Sequence, residues 1–318
     1  MKSVRLNGVL ATLLLVLLAA CSEEAATGDP AAAVGGGGVG GAGGAVVANG
    51  GSGGVTTSGQ GGACGMVEPL SITYYDVNHV LSTGQSLSIG VAGTPALSTA
   101  QPLDNTMFEG GLDTVDASDL ANASFVPLIE GTSPQQETMS SGLANLVGLM
   151  ARDEVLICQP AGEQRHDIFV SVHGRSSTRY AGLKKGTEVY NNGLAQVTAA
   201  YELAQDNGQS YTVRAVTTVH GESDHTAGIM VYAANLVEWQ SDLQADIQAI
   251  TSQTEPVPMF QSQISNWARL GGATSVIPSA QLAASEANPE AIIVVGPKYA
   301  LPYATDGVHL TNHGYRQM

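Results

Sequence analysis

Basic residues are scarce in this chain, which has 12 Lys and Arg against 28 Asp and Glu and a formal net charge of −16. No cluster of basic residues interrupts this acidic excess. A strongly acidic surface repels phosphate polymers and anionic lipid headgroups. We therefore expect no nucleic-acid partner, and contact with a membrane only through an anchor.

Cysteine is also rare: the chain has only Cys21, Cys64 and Cys158. Its seven His residues are scattered, and no Cys/His spacing is typical of zinc binding. We expect no catalytic metal, and no motif implies a cofactor. If the chain is exported, Cys64 and Cys158 are available for a disulfide, because oxidising compartments permit such bonds.

The longest apolar run is short and lies at the N-terminus, at residues 9–20, after the basic Lys2 and Arg5. It is too short for a membrane-spanning helix but is typical of an export signal. Its end, at residues 18–21, resembles a bacterial lipoprotein signal. That resemblance implies cleavage before Cys21, lipidation of Cys21 and a place in the cell envelope, at the outer membrane or cell surface. The alternative is secretion, with an incidental Cys21.

Glycine dominates the segment that follows, making up more than half of residues 35–62. Such a chain cannot bury enough apolar surface to offset its ordering entropy. The sequence therefore predicts a signal peptide at 1–20, a flexible tether at 21–65 and one domain at 66–318.

Apolar stretches and helical patterns alternate along this domain. We predict buried strands at 77–83, 167–173, 211–219, 257–262 and 291–295. We predict helices at 137–150, 187–207, 230–250 and 279–287. This alternation is typical of an α/β fold with a parallel sheet covered on both faces. Residues 90–134 read as a long irregular loop, either a wall of a substrate pocket or a surface insertion.

Two distant motifs contain the groups that nucleophilic catalysis requires. Ser86 follows the first predicted strand in a Gly-Gln-Ser-Leu-Ser run, and Asp306 and His309 lie three residues apart near the C-terminus. A serine needs an adjacent base to accept its proton, and that base needs a carboxylate to fix its tautomer. Each motif alone is also common in ordinary turns.

A third motif lies between them, where His220, Gly221, Glu222, Ser223 and Asp224 follow the predicted strand 211–219. Polar residues at the carboxyl ends of strands are where α/β proteins place their sites. A plain turn with a helix cap is the alternative interpretation of this motif.

Taken together, the three motifs resemble those of SGNH hydrolases, over residues 78–318. Within that superfamily they are most similar to the sialate O-acetylesterase and acetylxylan esterase branch of carbohydrate esterases. The shared features are Gly-Gln-Ser at residues 84–86, Gly-Glu-Ser-Asp at 221–224 and Asp-Gly-x-His-Leu at 306–310. The resemblance implies a three-layer α/β/α sandwich with a five-stranded parallel sheet, and removal of acetyl groups from carbohydrate.

Carried over residue by residue, the resemblance makes Ser86 the nucleophile, His309 the general base and Asp306 its orienting acid. One oxyanion donor is the backbone N–H of Ser86. The second is a backbone N–H from the turn after the second predicted strand, where Gly174 and Ser177 both remain candidates because the family's glycines are absent.

The third donor in this family is a side chain that precedes Gly-Glu. Here it is His220, where the branch typically has Gln. Gln85 and Glu222 are secondary site residues.

Two other functions remain open from the sequence. The same triad suits a hydrolase of short-chain esters or lipids. The changed turn and His220 also suit a surface lipoprotein that only binds glycans, although an intact Ser86, Asp306 and His309 would then be superfluous.

Overall fold

The structure, a computed structural model, describes residues 73–114, 117–132, 134–156, 166–228 and 230–318. Within these ranges one sheet has the strand order β3-β2-β4-β1-β5-β6-β7. The strands are β1 Val77–Gly84, β2 Thr106–Phe108, β3 Phe125–Pro127, β4 Ile168–Val172, β5 Tyr211–Val219, β6 Met259–Gln263 and β7 Ile292–Pro297. Neighbouring strands are parallel except β2 and β3, which are antiparallel.

The mixed α/β class and the five predicted strands are confirmed as β1, β4, β5, β6 and β7. The predicted total of five strands is wrong, because the described sheet has seven. The two additional strands lie in the segment predicted to be an irregular loop. Each has three residues, too few to show the alternation that identifies a strand. This segment therefore extends the sheet beyond β4, with β2 paired to β4 at Thr106 and Phe169.

The described helices are α1 Ala117–Ala121, α2 Ser140–Met150, α3 Glu188–Asp206, α4 Glu222–Thr226, α5 Tyr232–Thr251, α6 Ile277–Ala287 and α7 Asn312–Gln317. Helix α3 begins after Thr187, whose hydroxyl accepts a hydrogen bond from the Tyr190 N–H. It ends before Gly208, which has φ +68°. A Ser or Thr cap and a left-handed Gly are ordinary start and stop signals. None of the described helices is both long and apolar enough to cross a membrane.

The hydrophobic core has two parts, one on each face of the sheet, and successive residues of β4 contribute to different parts. Phe169 of β4 packs in a cluster with Val197 of α3 and Trp239 of α5. Its neighbour Val170 packs in another cluster with Ala144 of α2. Because successive strand side chains point to opposite faces, helices lie against both faces of the sheet. Burying each large apolar side chain contributes roughly 1.5–3 kcal/mol.

Strand β1 lies in the middle of the sheet, between β4 and β5. From β1 the chain continues to β2, β3 and β4 on one side of β1, and it then crosses to β5 on the other side of β1. In α/β sheets, ligands bind at the carboxyl ends of the strands where the strand order reverses in this way. Ser86 follows β1 directly, so it lies at this reversal.

Candidate active site

A sharp turn after β1 presents Ser86. Gly84, the last residue of β1, has φ +139°, and a Cβ there would lie 2.4 Å from the Val219 carbonyl oxygen. Only glycine permits this backbone conformation and this close approach to the end of β5. The turn continues with the Val91 N–H donating to the Ser86 carbonyl at 3.0 Å. Ser86 is consequently left half-buried at the edge of the sheet.

The structure brings together the three residues predicted to be catalytic. Ser86 Oγ lies 2.8 Å from His309 Nε2, and His309 Nδ1 lies 2.7 Å from Asp306 Oδ2. The Asp306 Oδ1 atom accepts hydrogen bonds from the Val308 and His309 backbone N–H groups at 2.8 and 2.9 Å. This carboxylate therefore fixes both the loop and the imidazole ring. With Nδ1 donating to Asp306, Nε2 is free to accept the Ser86 proton.

The environment of Asp306 favours its ionised form. Partial burial raises the pKa of Asp306, but hydrogen bonds from the His309 ring and from the Val308 and His309 N–H groups outweigh it. The pKa of Asp306 therefore lies below its ordinary value. The carboxylate is charged near neutral pH, as a group that orients an imidazole requires.

The loop that contains Asp306 and His309 is tied to the end of β6. Asn266 Nδ2 donates to the Val308 carbonyl at 3.0 Å, and the Ala304 N–H donates to the His309 carbonyl at 2.8 Å. Asn266 was not among the residues predicted from sequence. Its contact with the loop crosses 42 residues of chain, and no local pattern identifies such a pairing.

The candidate oxyanion turn follows β4. Ser177 has φ +56°, the left-handed conformation that glycine usually adopts. A Cβ on Gly174 would lie 2.5 Å from Ser88 Oγ. This glycine therefore lets the turn pack against residues 84–91, the turn that presents Ser86 (the nucleophile turn). The Arg175 N–H donates to the Gly84 carbonyl at 3.1 Å and joins the two turns. The turn thus holds both backbone candidates, Gly174 and Ser177.

His220 is buried and contacts this turn, an arrangement different from the exposed oxyanion donor that the resemblance implies. Its Nδ1 pairs with Tyr232 Oη at 2.7 Å, and its Nε2 pairs with the Thr178 carbonyl at 3.1 Å. Burial lowers the pKa of His220 to about 4, so the ring is neutral and has one N–H. That N–H donates to Thr178, and none is left for a substrate. Asp224 Oδ2 gives the same loop a second support by accepting from the Tyr180 N–H.

The secondary residues Gln85 and Glu222 contact each other. Gln85 Nε2 donates to Glu222 Oε2 at 2.9 Å, and both side chains are buried. Lys298 was not among the predicted residues, but its Nζ lies 3.7 Å from Glu222 Oε1. Burial lowers the pKa of Lys298, and the charge of Glu222 opposes that shift. A single Lys directly after an apolar strand was the available sequence signal.

Several predictions fall on residues that the structure does not describe. These are the signal peptide, the tether, lipidation of Cys21 and the pairing of Cys64 with Cys158. Among the described residues, no group of three or more His, Cys, Asp or Glu side chains is placed to hold a metal ion.

Glu130 organises the segment that packs against the nucleophile turn. Its carboxyl group accepts hydrogen bonds from the Thr138 N–H and hydroxyl and from the Ser141 N–H. Burial, together with the nearby charge of Glu137, raises the pKa of Glu130 from 4.5 to about 7, against the lowering effect of these hydrogen bonds. The folded protein therefore favours the protonated form of Glu130.

We expect Glu130 to make the protein less stable as pH rises from 4.5 to about 7, because the unfolded chain loses this proton first. Relative to Glu130→Gln, the wild type should lose roughly 3 kcal/mol of unfolding free energy across this range. Urea titrations of both proteins at about pH 5 and about pH 8 measure the difference. Parallel pH dependences in the two proteins would contradict the prediction.

Fold and geometry together define an α/β protein with a hydrogen-bonded Ser–His–Asp arrangement at the carboxyl edge of its sheet. No protein-family model matches the chain, and no curated protein matches it.

Solved structures similar to the chain include a protein from Arabidopsis thaliana, 17% identical, with a TM-score of 0.48 and coverage of 76% of this chain and 93% of that one. A lipase from a goat rumen metagenome is 12% identical, with a TM-score of 0.38 and coverage of 76% and 93%. A carbohydrate acetylesterase from Xanthomonas citri is 12% identical, with a TM-score of 0.44, and is matched over 76% of this chain and 53% of its own length.

Proposed function

We propose that the protein is an extracytoplasmic serine esterase that removes O-acetyl groups from carbohydrate through an acetyl-serine intermediate. One observation carries this proposal: the continuous hydrogen-bonded path from Ser86 Oγ through His309 to Asp306, with distances of 2.8 and 2.7 Å. Nucleophile, base and orienting acid come from two distant parts of the chain. A binding module would have no need of all three in register.

The reaction follows from this geometry. Ser86 Oγ attacks the acetyl carbonyl carbon while His309 Nε2 accepts the hydroxyl proton. The tetrahedral intermediate collapses, and His309 returns the proton to the departing sugar oxygen. Water then attacks the acetyl-serine with His309 as base, releasing acetate and restoring Ser86. Asp306 stabilises the imidazolium form of His309 in both steps without becoming protonated.

The negative charge on the tetrahedral intermediate needs hydrogen-bond donors placed where it develops. We assign one donor to the Ser86 backbone N–H. A second comes from the turn after β4, from Gly174 or Ser177. The left-handed φ of Ser177 supports a backbone role for it, because that conformation is uncommon for serine.

An open site favours a large substrate with a small acyl group. The Asp306 side chain is 47% exposed and that of His309 is 19% exposed. An apolar cavity of about 350 Å³ among the described residues is lined by α2 and strands β4 to β7, and none of the three triad residues lines it. A hydrolase of long acyl chains needs an apolar pocket beside its nucleophile. The preference for acetyl rests on this contrast.

The carbohydrate assignment rests on the three motifs that resemble SGNH carbohydrate esterases. Sialic acid and xylan-type glycans are the proposed substrates. We also propose a lipid-anchored location in the cell envelope, supported by the lipoprotein-like sequence before Cys21.

Hydrolysis of the p-nitrophenyl esters of acetate, butyrate and octanoate tests the proposal. We expect turnover of the acetate ester and little of the octanoate. A fluorophosphonate should stop the reaction and modify one residue, since the Ser86 oxygen displaces fluoride from phosphorus. Peptide mass mapping locates that adduct.

Preference for octanoate would instead make the protein a lipid or general ester hydrolase. A folded protein that hydrolyses none of the three esters and forms no adduct would overturn the esterase proposal in favour of glycan binding. With activity on acetate in hand, acetylated xylan and acetylated sialic acid separate the two sugar classes.

A further inference from the structure

A chain of buried polar groups crosses the carboxyl ends of four neighbouring strands. Gln85 after β1 donates to Glu222 after β5, at 2.9 Å. The other Glu222 oxygen lies 3.7 Å from Lys298 Nζ, after β7. Lys298 Nζ also donates to Ser262 Oγ at 3.2 Å and to the Gln263 carbonyl at 3.0 Å, at the end of β6. The four strands that these contacts connect, β1, β5, β6 and β7, are consecutive neighbours in the sheet.

Both charged side chains in this series of polar contacts are buried. Lys298 is 2% exposed and Glu222 is 3% exposed. Buried charges are costly unless paired, and a buried ion pair is often no more stabilising than an apolar pair of the same size. Stability alone is therefore a poor reason for an ion pair at this position. Its location beside the catalytic residues suggests a role in the reaction.

Gln85 and Lys298, at the two ends of this series of polar contacts, are each connected along the backbone to a catalytic residue. Gln85 precedes Ser86, and its Oε1 also accepts from the Ser223 N–H at 3.4 Å. Lys298 begins the segment that leads to Asp306 and His309. Its backbone N–H donates to Ser265 Oγ at 3.1 Å, which helps hold the start of that segment against the end of β6.

We propose that Lys298 is a positioning residue that acts through Glu222 and Gln85 to hold the nucleophile turn in register with the loop containing Asp306 and His309. It also neutralises Glu222. An uncompensated carboxylate so close to the nucleophile turn would oppose the negative charge that forms on the intermediate, because charges interact strongly in a poorly solvated site. This inference rests on the proposed esterase function.

Lys298→Met tests the inference, since Met keeps the length and removes the charge. We expect kcat for p-nitrophenyl acetate to fall about tenfold to a hundredfold while KM stays within about twofold, because the interaction acts on the reacting geometry and not on substrate binding. In the double variant Glu222→Gln/Lys298→Met the pair is neutral, and kcat should recover at least about fivefold over the single variant.

Lys184→Met is the matched control, because Lys184 pairs with Glu238 at 2.7 Å on the exposed surface. It should leave kcat unchanged. Thermal unfolding of every variant separates a loss of fold from a loss of rate.

The outcomes distinguish the two proposals. A wild type without esterase activity overturns the proposed function and this inference with it. An active wild type whose Lys298→Met variant keeps kcat within about twofold overturns the inference alone. So does a double variant no faster than Lys298→Met, which would mark a purely structural role. Should Lys298→Met not fold, Glu222→Gln decides: at unchanged KM, a loss of kcat of about tenfold supports the inference, and a kcat near that of the wild type overturns it.

Discussion

Ser86→Ala should abolish ester hydrolysis, with kcat falling by a factor on the order of 10⁶, the scale seen when a serine hydrolase loses its nucleophile. The reason is chemical, because alanine has no oxygen to form the acetyl intermediate. The fold should survive, since the Ser86 side chain is half-buried and its hydroxyl is hydrogen-bonded to His309. Initial rates on p-nitrophenyl acetate, with thermal unfolding of the same samples, measure both effects.

Ser88→Ala is the matched control, because Ser88 belongs to the same motif. Its hydroxyl donates to the Gln85 carbonyl at 2.7 Å and is fully buried. Removing it costs one hydrogen bond, about 1 kcal/mol of stability, and leaves the nucleophile in place. We expect kcat within about tenfold of the wild type. A Ser86→Ala protein that still turns over at the wild-type rate would refute the role of Ser86.

Local pattern was sufficient to predict the strands that form the centre of the sheet and the residues of the triad. Strands β1 and β5 are buried along their whole length, as a parallel sheet covered on both faces requires. Ser86 and His309 could be paired from sequence because their chemistry is complementary and a third motif lies between them. Strands β2 and β3 could not be predicted, because pairing at the sheet edge and not local composition holds such short segments in place.

The polar contacts around the triad were beyond sequence reasoning. His220 occupies the motif position of an oxyanion donor, yet Tyr232 and the Thr178 carbonyl occupy both ring nitrogens. Its role depends on partners 12 and 42 residues away. Lys298 reads as an ordinary surface lysine until the ends of β5, β6 and β7 are brought together around it.

Asp306→Asn should lower kcat about 10⁴-fold, although only one heavy atom of the side chain changes. Asp306 Oδ1 accepts from two backbone N–H groups, so the amide oxygen of Asn must take that place. The amide NH₂ group then faces His309 Nδ1 as a donor. The ring must accept at Nδ1 and move its proton to Nε2, where it points at Ser86 Oγ. In this tautomer His309 cannot accept the serine proton.

This mechanism makes a spectroscopic prediction as well as a kinetic one. Nitrogen NMR of the labelled imidazole should show the proton of His309 on Nδ1 in the wild type and on Nε2 in Asp306→Asn. KM and the unfolding temperature should change little, because the amide oxygen keeps both backbone hydrogen bonds of the loop. Asp306→Ala is the comparison: it loses those bonds and should unfold at a lower temperature, but it does not force the Nε2 tautomer. A kcat for Asp306→Asn within about tenfold of the wild type would mean that Asp306 does not set the tautomer of His309.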